Sequence, residues 1–389
     1  MKKKAKRIAL RGGAVVLPKG IAQNGLILIK EGRIEYAGAE RKYSQKEYET
    51  IDITGMTASP GLIDAHTHLG VYAEGSGEMG EDGNEMIDPV TPHVRAIDSI
   101  DPEDPAFGEA RADGVTSVMI TPGSGNVIGG AACVVKTRGR IVEEMIVDRD
   151  IGQKMATGEN PKRVYGGQKK APMTRMGIAA VMRTALVEAQ NYRDKIKKKK
   201  NDTPLDLRME ALQAVISGKK PARVHAHRAD DIMTAIRIAD EFGMKIVVEH
   251  GTEAYKIADI LAAKKIRLNL GPSTTGRSKV ELKDLVRDNA ARCIKAGCIV
   301  SLITDHPVIP IQELRQEAIK LVRDHGAPRD EVFKAITSTP AATLGITRRA
   351  GSLERGKDAD VAVYSSHPLD PAAVCHMTMI NGEAVFRRD

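Results

Sequence analysis

The stretch Ser59-Pro60-Gly61-Leu62-Ile63-Asp64-Ala65-His66-Thr67-His68 decides the reading of this chain. A short apolar run opened by Pro-Gly predicts a buried strand, and on a strand two histidines at i and i+2 point to the same side. Both imidazoles can then reach one divalent cation. A lone His-X-His carries little weight. Three further segments follow the same plan, however: His225-Ala226-His227, Glu249-His250-Gly251 and Thr304-Asp305-His306 each end a short run rich in Val or Ile. Metal-ligand residue types at four strand ends form a constellation.

Outward from that stretch, residues 59–349 alternate strand and helix patterns, which predicts βα units and a parallel sheet. Strands are expected at 62–66, 115–120, 151–156, 223–227, 246–250, 266–270 and 299–304, with one more near Val134-Val135. Helices are expected at 174–199, 230–242, 254–263, 282–296 and 311–325. About eight strands point to an α/β fold, a (β/α)8 TIM-like barrel, in which reactive groups gather at the C-terminal strand ends. On that count His66 and His68 close the first strand, His225 the fifth, His250 the sixth and Asp305 the eighth. Residues 70–104, thick with Gly, Glu, Asp and Pro, read as a long loop over the barrel mouth. The chain ends have another texture, short alternating strands with turns at Glu31-Gly32 and Asn381-Gly382. Residues 1–58 plus 350–389 are therefore expected to form a small β-sandwich domain from both termini, and 59–349 the barrel domain.

Composition narrows the function classes. In 389 residues, 42% hydrophobic and 28% charged content describe a globular chain, too long for the usual single core. Aromatics are 3% with no Trp, which argues against a base-stacking platform, and the net charge of +8 is diffuse. Its densest part, Lys195 to Lys200, reads as a solvated helix end. Neither nucleic acid nor membrane is expected as a partner; a small-molecule substrate and a homo-oligomer are. Cys133, Cys293, Cys298 and Cys375 have no CxxC spacing and make no disulfide framework. The basic start is broken by Arg11-Gly12-Gly13 and Pro18 before a signal core can form, and no apolar run reaches bilayer length. A cytoplasmic location is the expectation.

Imidazole and carboxylate ligands suit Zn, Fe, Mn or Ni, with zinc first. At this point the residues resemble the amidohydrolase superfamily, in the branch related to imidazolonepropionase and metal-dependent dipeptidases. The matching pieces are Pro60 to His68, His225-Ala226-His227, Val248-Glu249-His250-Gly251, Thr304-Asp305-His306-Pro307, Thr339-Pro340-Ala341-Ala342-Thr343-Leu344-Gly345 and Gly351 to Asp360. The resemblance implies a barrel with a β-sandwich from both termini. It implies His66, His68, His225 and Asp305 as metal ligands, and His250 as a second-metal ligand or a hydrogen-bond partner of the substrate carbonyl. Asp305 would move the proton of the attacking water, and His250 would stabilise the oxyanion. Binuclear relatives carry a carboxylated Lys or a Glu on the fourth strand, where this chain offers Lys154 and Glu159, so one or two metals per chain are open.

Substrate contacts are expected from His227, which shares a strand face with His225, and from Arg228, Arg277 and Lys279 as a carboxylate clamp. The Gly-rich run Gly123 to Gly130 lacks a P-loop ending and is read as shaping the pocket, with Asn126 as a substrate contact. The resulting expectation is a metal-dependent hydrolase cutting an amide or peptide-like C–N bond of an amino-acid-derived substrate. A cyclic-amide, imidazolone-like substrate is the alternative, and a non-catalytic scaffold of the same fold is the rival class.

Overall fold

A computed structural model describes residues 7–75, 77–198 and 203–388. The lysine run at the helix end passes at Lys199 and Lys200 out of the described residues, as do the first six residues of the basic start.

Eight strands form one sheet in sequence order. They are β1 Leu62–Thr67, β2 Val115–Ile120, β3 Ile128–Lys136, β4 Ile146–Ala156, β5 Ala222–Ala226, β6 Ile246–His250, β7 Arg267–Leu270 and β8 Ile299–Leu302. Each is buried along most or all of its length, as a sheet covered on both faces requires. The ends of the sheet meet just beyond β8: the Asp305 amide donates to His66 O at 3.2 Å, and the His68 amide to His306 O at 2.8 Å. This seam makes a nearly closed barrel, the TIM-like fold expected.

One strand departs from the parallel expectation. β3 pairs antiparallel with both β2 and β4, whereas the other pairings are parallel. The physical reason is chain length. A parallel connection needs about a dozen residues, usually a helix, and only Thr121 to Val127 separate β2 from β3. That short link is the Gly-rich run, and its glycines admit the mouth loop. The Gly125 amide donates to Asn84 Oδ1 at 2.8 Å, and a Cβ at Gly123 would stand 2.2 Å from Asn84 Nδ2.

Helices Arg175–Lys198, Ala229–Phe242 and Glu313–Arg323 cover the barrel much as the 3.6-residue periodicity predicts. Residues 282–296 do not form one helix. The helix there is only Asn289–Lys295, preceded by a long loop that packs inward.

Two smaller sheets join the chain ends. One orders Arg33–Ala39, Gly25–Lys30, Arg7–Arg11 and Glu49–Asp52; the other orders Glu383–Arg387, Cys375–Ile380, Val361–Tyr364, Thr57–Pro60, Ala14–Leu17 and Gly20–Ala22. They share a core of Ile8, Leu10, Val15, Ile27, Ile29, Ile34, Val361, Val363, Met377 and Met379. The turns at Glu31-Gly32 and Asn381-Gly382 have positive φ at all four positions (52, 76, 50 and 74°), the two-residue hairpin geometry that their Gly and Asn favour.

Candidate metal centre

The C-terminal ends of β1, β4, β5, β6 and β8 bring five histidines, an aspartate and a lysine together. His66, His68 and Asp305 form one group, and His225, His227 and His250 a second, with the ligand atoms of each within 4.8 Å of one another. In the first, Asp305 Oδ1 lies 3.4 Å from His66 Nε2 and 3.3 Å from His68 Nε2. His250 sits between the groups, its ring centroid 4.7 Å from that of His66 and 4.5 Å from that of His225.

Side-chain alternation alone would not deliver this. Glu249 and His250 are successive residues of β6 and should face opposite sides. Both point to the barrel interior because His250 has φ 72°, and Asp305, just past β8, has φ 54°. Left-handed backbone is uncommon for residues with a Cβ and concentrates at functional sites.

Beneath the histidines lies a layer whose members the sequence did not mark. His66 Nδ1 is 2.8 Å from Glu249 Oε2, a contact in which the ring N–H donates to the carboxylate and leaves Nε2 free to ligate. Glu249 also accepts from Arg223 Nη1 at 3.2 Å and from Asn269 Nδ2 at 2.8 Å, and all of these groups are fully buried. His68 Nδ1 is fixed in the same way by Thr121 O at 2.7 Å, and His227 Nδ1 lies 2.7 Å from Thr252 Oγ1. Asp64 accepts from the His66 and Thr304 amides, each at 3.0 Å, and from Thr304 Oγ1 at 2.6 Å, which ties β1 to the chain leaving β8. A signal for Glu249 was present, since β5 and β6 pair with His225 opposite Glu249, so the two share a face. That register is not visible in one sequence.

The electrostatics suit cation binding. Burial pushes the His225 imidazole down to about 4 and holds those of His227 and His250 well below their usual value, so all three are neutral, the form that ligates. Burial also pulls the Lys154 ammonium down to about 8. Burial works against ionisation of Asp305, yet His250, His66 and His68 keep its carboxyl well below the ordinary carboxylate range. Neither ring nitrogen of His225 and not Asp305 Oδ1 has a hydrogen-bond partner. Unpartnered buried acceptors are rare in a native structure, and here they belong to a donor set of imidazoles and carboxylate that fits a borderline divalent cation.

The other expected residues divide. Lys154, 1% exposed, projects its Nζ to 3.3 Å from His66 Nε2. Lys279 reaches His227, with its Nζ 3.5 Å from Nε2. Glu159 is turned to the loop after β7, where its Oε2 accepts from the Glu281 amide at 3.2 Å. Arg228 is paired with Asp230 through two hydrogen bonds of 2.9 and 2.8 Å, and Arg277 donates to Lys283 O and Leu285 O within its own loop. Asn126 is buried, giving Nδ2 to Glu85 O and Thr91 Oγ1 and accepting from Tyr165 Oη at 2.5 Å, so it anchors the mouth loop. The residues sequence reasoning missed are Asp64, Arg223, Glu249, Asn269 and Glu281. A cavity of about 340 Å³ under the mouth loop is lined by Glu81, Asp82, Glu85, Asp98 and Arg95, and no histidine of either group lines it.

A family model described as the amidohydrolase family matches residues 187–385, just over half of the chain. The chain belongs to the amidohydrolase family. It is therefore a hydrolase acting on C–N bonds, in a family that acts on small-molecule substrates and is generally metal-dependent. An amidohydrolase from Thermotoga maritima MSB8, known by its crystal structure, is 47% identical and superposes with a TM-score of 0.94, covering 98% of this chain and 100% of that one. Amidohydrolase tasK of Hapsidospora irregularis is 29% identical over 93% of this chain, which spans 40% of that longer protein. The imidazolonepropionase of Acidiphilium cryptum is 26% identical over 90% of this chain and 89% of its own length.

Proposed function

We propose that this amidohydrolase cuts the C–N bond of a small amide derived from an amino acid, at a divalent centre held by His66, His68, His225, His250 and Asp305, with Lys154 beside it. The observation that carries the reading is the pair of buried ligand groups joined by His250, with His225 and Asp305 Oδ1 left unpartnered. When bound, a divalent cation there supplies Lewis acidity, polarising a carbonyl and acidifying a water. Zinc is the first to test on ligand type, with Fe, Mn and Ni behind it.

The chain's own residues supply the proton path. Asp305, kept ionised, accepts a proton from the attacking water through Oδ1 or Oδ2 as the new C–O bond forms. It then delivers that proton to the leaving nitrogen as the C–N bond breaks. His250, neutral and with Nδ1 3.3 Å from Gly271 O, offers Nε2 as the ligand atom between the two groups. Lys154, whose ammonium burial pulls down to about 8, would add CO2 at Nζ with loss of a proton, giving a carbamate that would serve as a further ligand. Lys279 is the clamp for a substrate carboxylate, since its Nζ lies 3.5 Å from His227 Nε2, whereas Arg228 and Arg277 are bonded within their own loops.

A cyclic amide is the second reading, supported by the similarity to imidazolonepropionases over nine-tenths of both chains. A homo-oligomer in the cytoplasm is part of the proposal; among the described residues no helix is long and apolar enough to cross a membrane. The test is turnover of dipeptides, N-acyl amino acids and cyclic amides by untagged protein, before and after chelation and with Asp305→Asn. Activity should vanish on chelation and return with metal, and the variant should lose on the order of 10²–10⁴ in kcat. A fully active metal-loaded Asp305→Asn enzyme would remove Asp305 from the proton path.

A further inference from the structure

We infer that the loop after β7 contributes a further ligand, Glu281, to the second histidine group, which it meets at His225 and His227, so that a divalent cation held there pins the loop over the barrel mouth. The inference rests on the reading above that this barrel holds divalent cations, and adds to it a loop-borne carboxylate that no strand-end motif announces.

Three observations carry it. Glu281 Oε1 stands 3.6 Å from His225 Nε2 and 3.6 Å from His227 Nε2. That is too long for a hydrogen bond, but two atoms each about 2.1 Å from one tetrahedral ion lie about 3.4 Å apart. The first group shows the same spacing, at 3.4 and 3.3 Å between Asp305 Oδ1 and its two histidines. Secondly, His225 is 3% exposed with both ring nitrogens unpartnered, and a ligated cation gives Nε2 the partner it lacks.

Thirdly, the carboxylate is held in place. Glu281, 1% exposed, accepts at Oε2 from the Glu159 amide at 2.9 Å, while Glu159 Oε2 accepts from the Glu281 amide at 3.2 Å. This reciprocal pair clasps the loop to the end of β4 and leaves Oε1 for the histidines. The approach requires Gly158, where a Cβ would come within 2.6 Å of Glu281 Oε2 and φ is 81°. The spot already takes positive charge. Lys279 Nζ lies 3.1 Å from Glu281 Oε1, 3.5 Å from His227 Nε2 and 3.4 Å from Asn160 Oδ1. A divalent cation competes with that ammonium for the same oxygen.

Untagged full-length protein is titrated with Zn²⁺ in a metal buffer and the bound ions are counted by plasma mass spectrometry, for wild type, Glu281→Gln, Glu281→Asp, Asp305→Asn and Glu159→Gln. Wild type should take two ions. Glu281→Gln should weaken one of them by about tenfold or more, the scale of losing a group that fixes a site. Asp305→Asn should instead weaken the other, Glu281→Asp should restore part of the loss, and Glu159→Gln, which still accepts from the loop amide, should keep both. Hydrogen exchange of the amides at 279–285 should slow on Zn²⁺ binding in wild type and not in Glu281→Gln. Circular dichroism matching wild type shows that the variants are folded. Retention of every wild-type ion at unchanged affinity by folded Glu281→Gln overturns the inference alone. A wild-type chain that binds no divalent cation overturns the metal-dependent reading and the inference with it.

Discussion

At the residue scale, the chemistry depends on side chains that the ligand pattern does not contain. Glu249 is fully buried, accepts from His66, Arg223 and Asn269, and so sets the tautomer of a proposed ligand while neutralising a buried guanidinium. Glu249→Gln should lower metal affinity by roughly 10–100-fold, the usual cost of losing a partner behind a ligating histidine, with a lower melting temperature because Arg223 loses its counter-charge. Metal-buffer titration together with a melting curve checks this; an unchanged affinity would make Glu249 a packing residue only. Of the residues named from sequence, the strand-end histidines and Asp305 were legible because ligand types recur there at fixed places. Glu249, Arg223 and Glu281 were not. A lone carboxylate or guanidinium looks the same in a sequence whether it faces solvent or a buried imidazole.

At the element scale, the barrel was legible from alternating strand and helix patterns, including a third strand around Val134-Val135, but the direction of that strand and the seam were not. The antiparallel β3 follows from a link too short to cross over, and the closure from contacts made between β1 and the chain beyond β8. Asp64 is the hinge pin of that seam, receiving three hydrogen bonds at full burial. Asp64→Ala leaves the His66 and Thr304 amides and the Thr304 hydroxyl without their acceptor, and should cost roughly 3–9 kcal/mol at about 1–3 kcal/mol for each of the three stranded groups. Urea unfolding measures it, and a loss under about 1 kcal/mol would mean that the seam closes without Asp64. The loop after β7 shows the limit of periodicity. Its pattern fits a helix from 282, but the chain instead folds inward at Glu281 and starts its helix at Asn289.

At the scale of the whole molecule, the Gly-Lys-Asp-Ala-Asp motif at 356–360 is a tie between the terminal sheets and the barrel. Asp358 accepts from Arg33 Nη1 at 2.7 Å and Arg349 Nε at 2.9 Å, and with Asp360 it holds the buried Lys136 of β3. A second contact between the C-terminal segment and the barrel is His367, whose ring lies 5.4 Å from Phe333 and accepts from the Leu369 amide at 3.0 Å. Burial, helped by the Arg329 cation, pushes this imidazole down to about 4, against about 6.5 in an unfolded chain. Between those values the unfolded state binds more protons, so this contribution to stability is present above about pH 6.5 and is lost as pH falls towards 4. His367→Gln should therefore show a shallower fall in melting temperature from pH 7 to 4.5 than wild type. Identical slopes would place the acid sensitivity elsewhere.

By itself the sequence determined the barrel, the β-rich ends and the strand-end ligand types, because hydrophobic period and residue chemistry are local properties that survive in one dimension. Only the tertiary structure decided which of those groups meet. It turned His250 and Asp305 inward through left-handed backbone, brought Lys154 to His66, gave Arg228, Arg277 and Asn126 to other partners, and carried Glu281 to His225 across a loop. Register, strand closure and loop path are contacts between residues far apart in the chain, and a pattern of neighbours carries no trace of them.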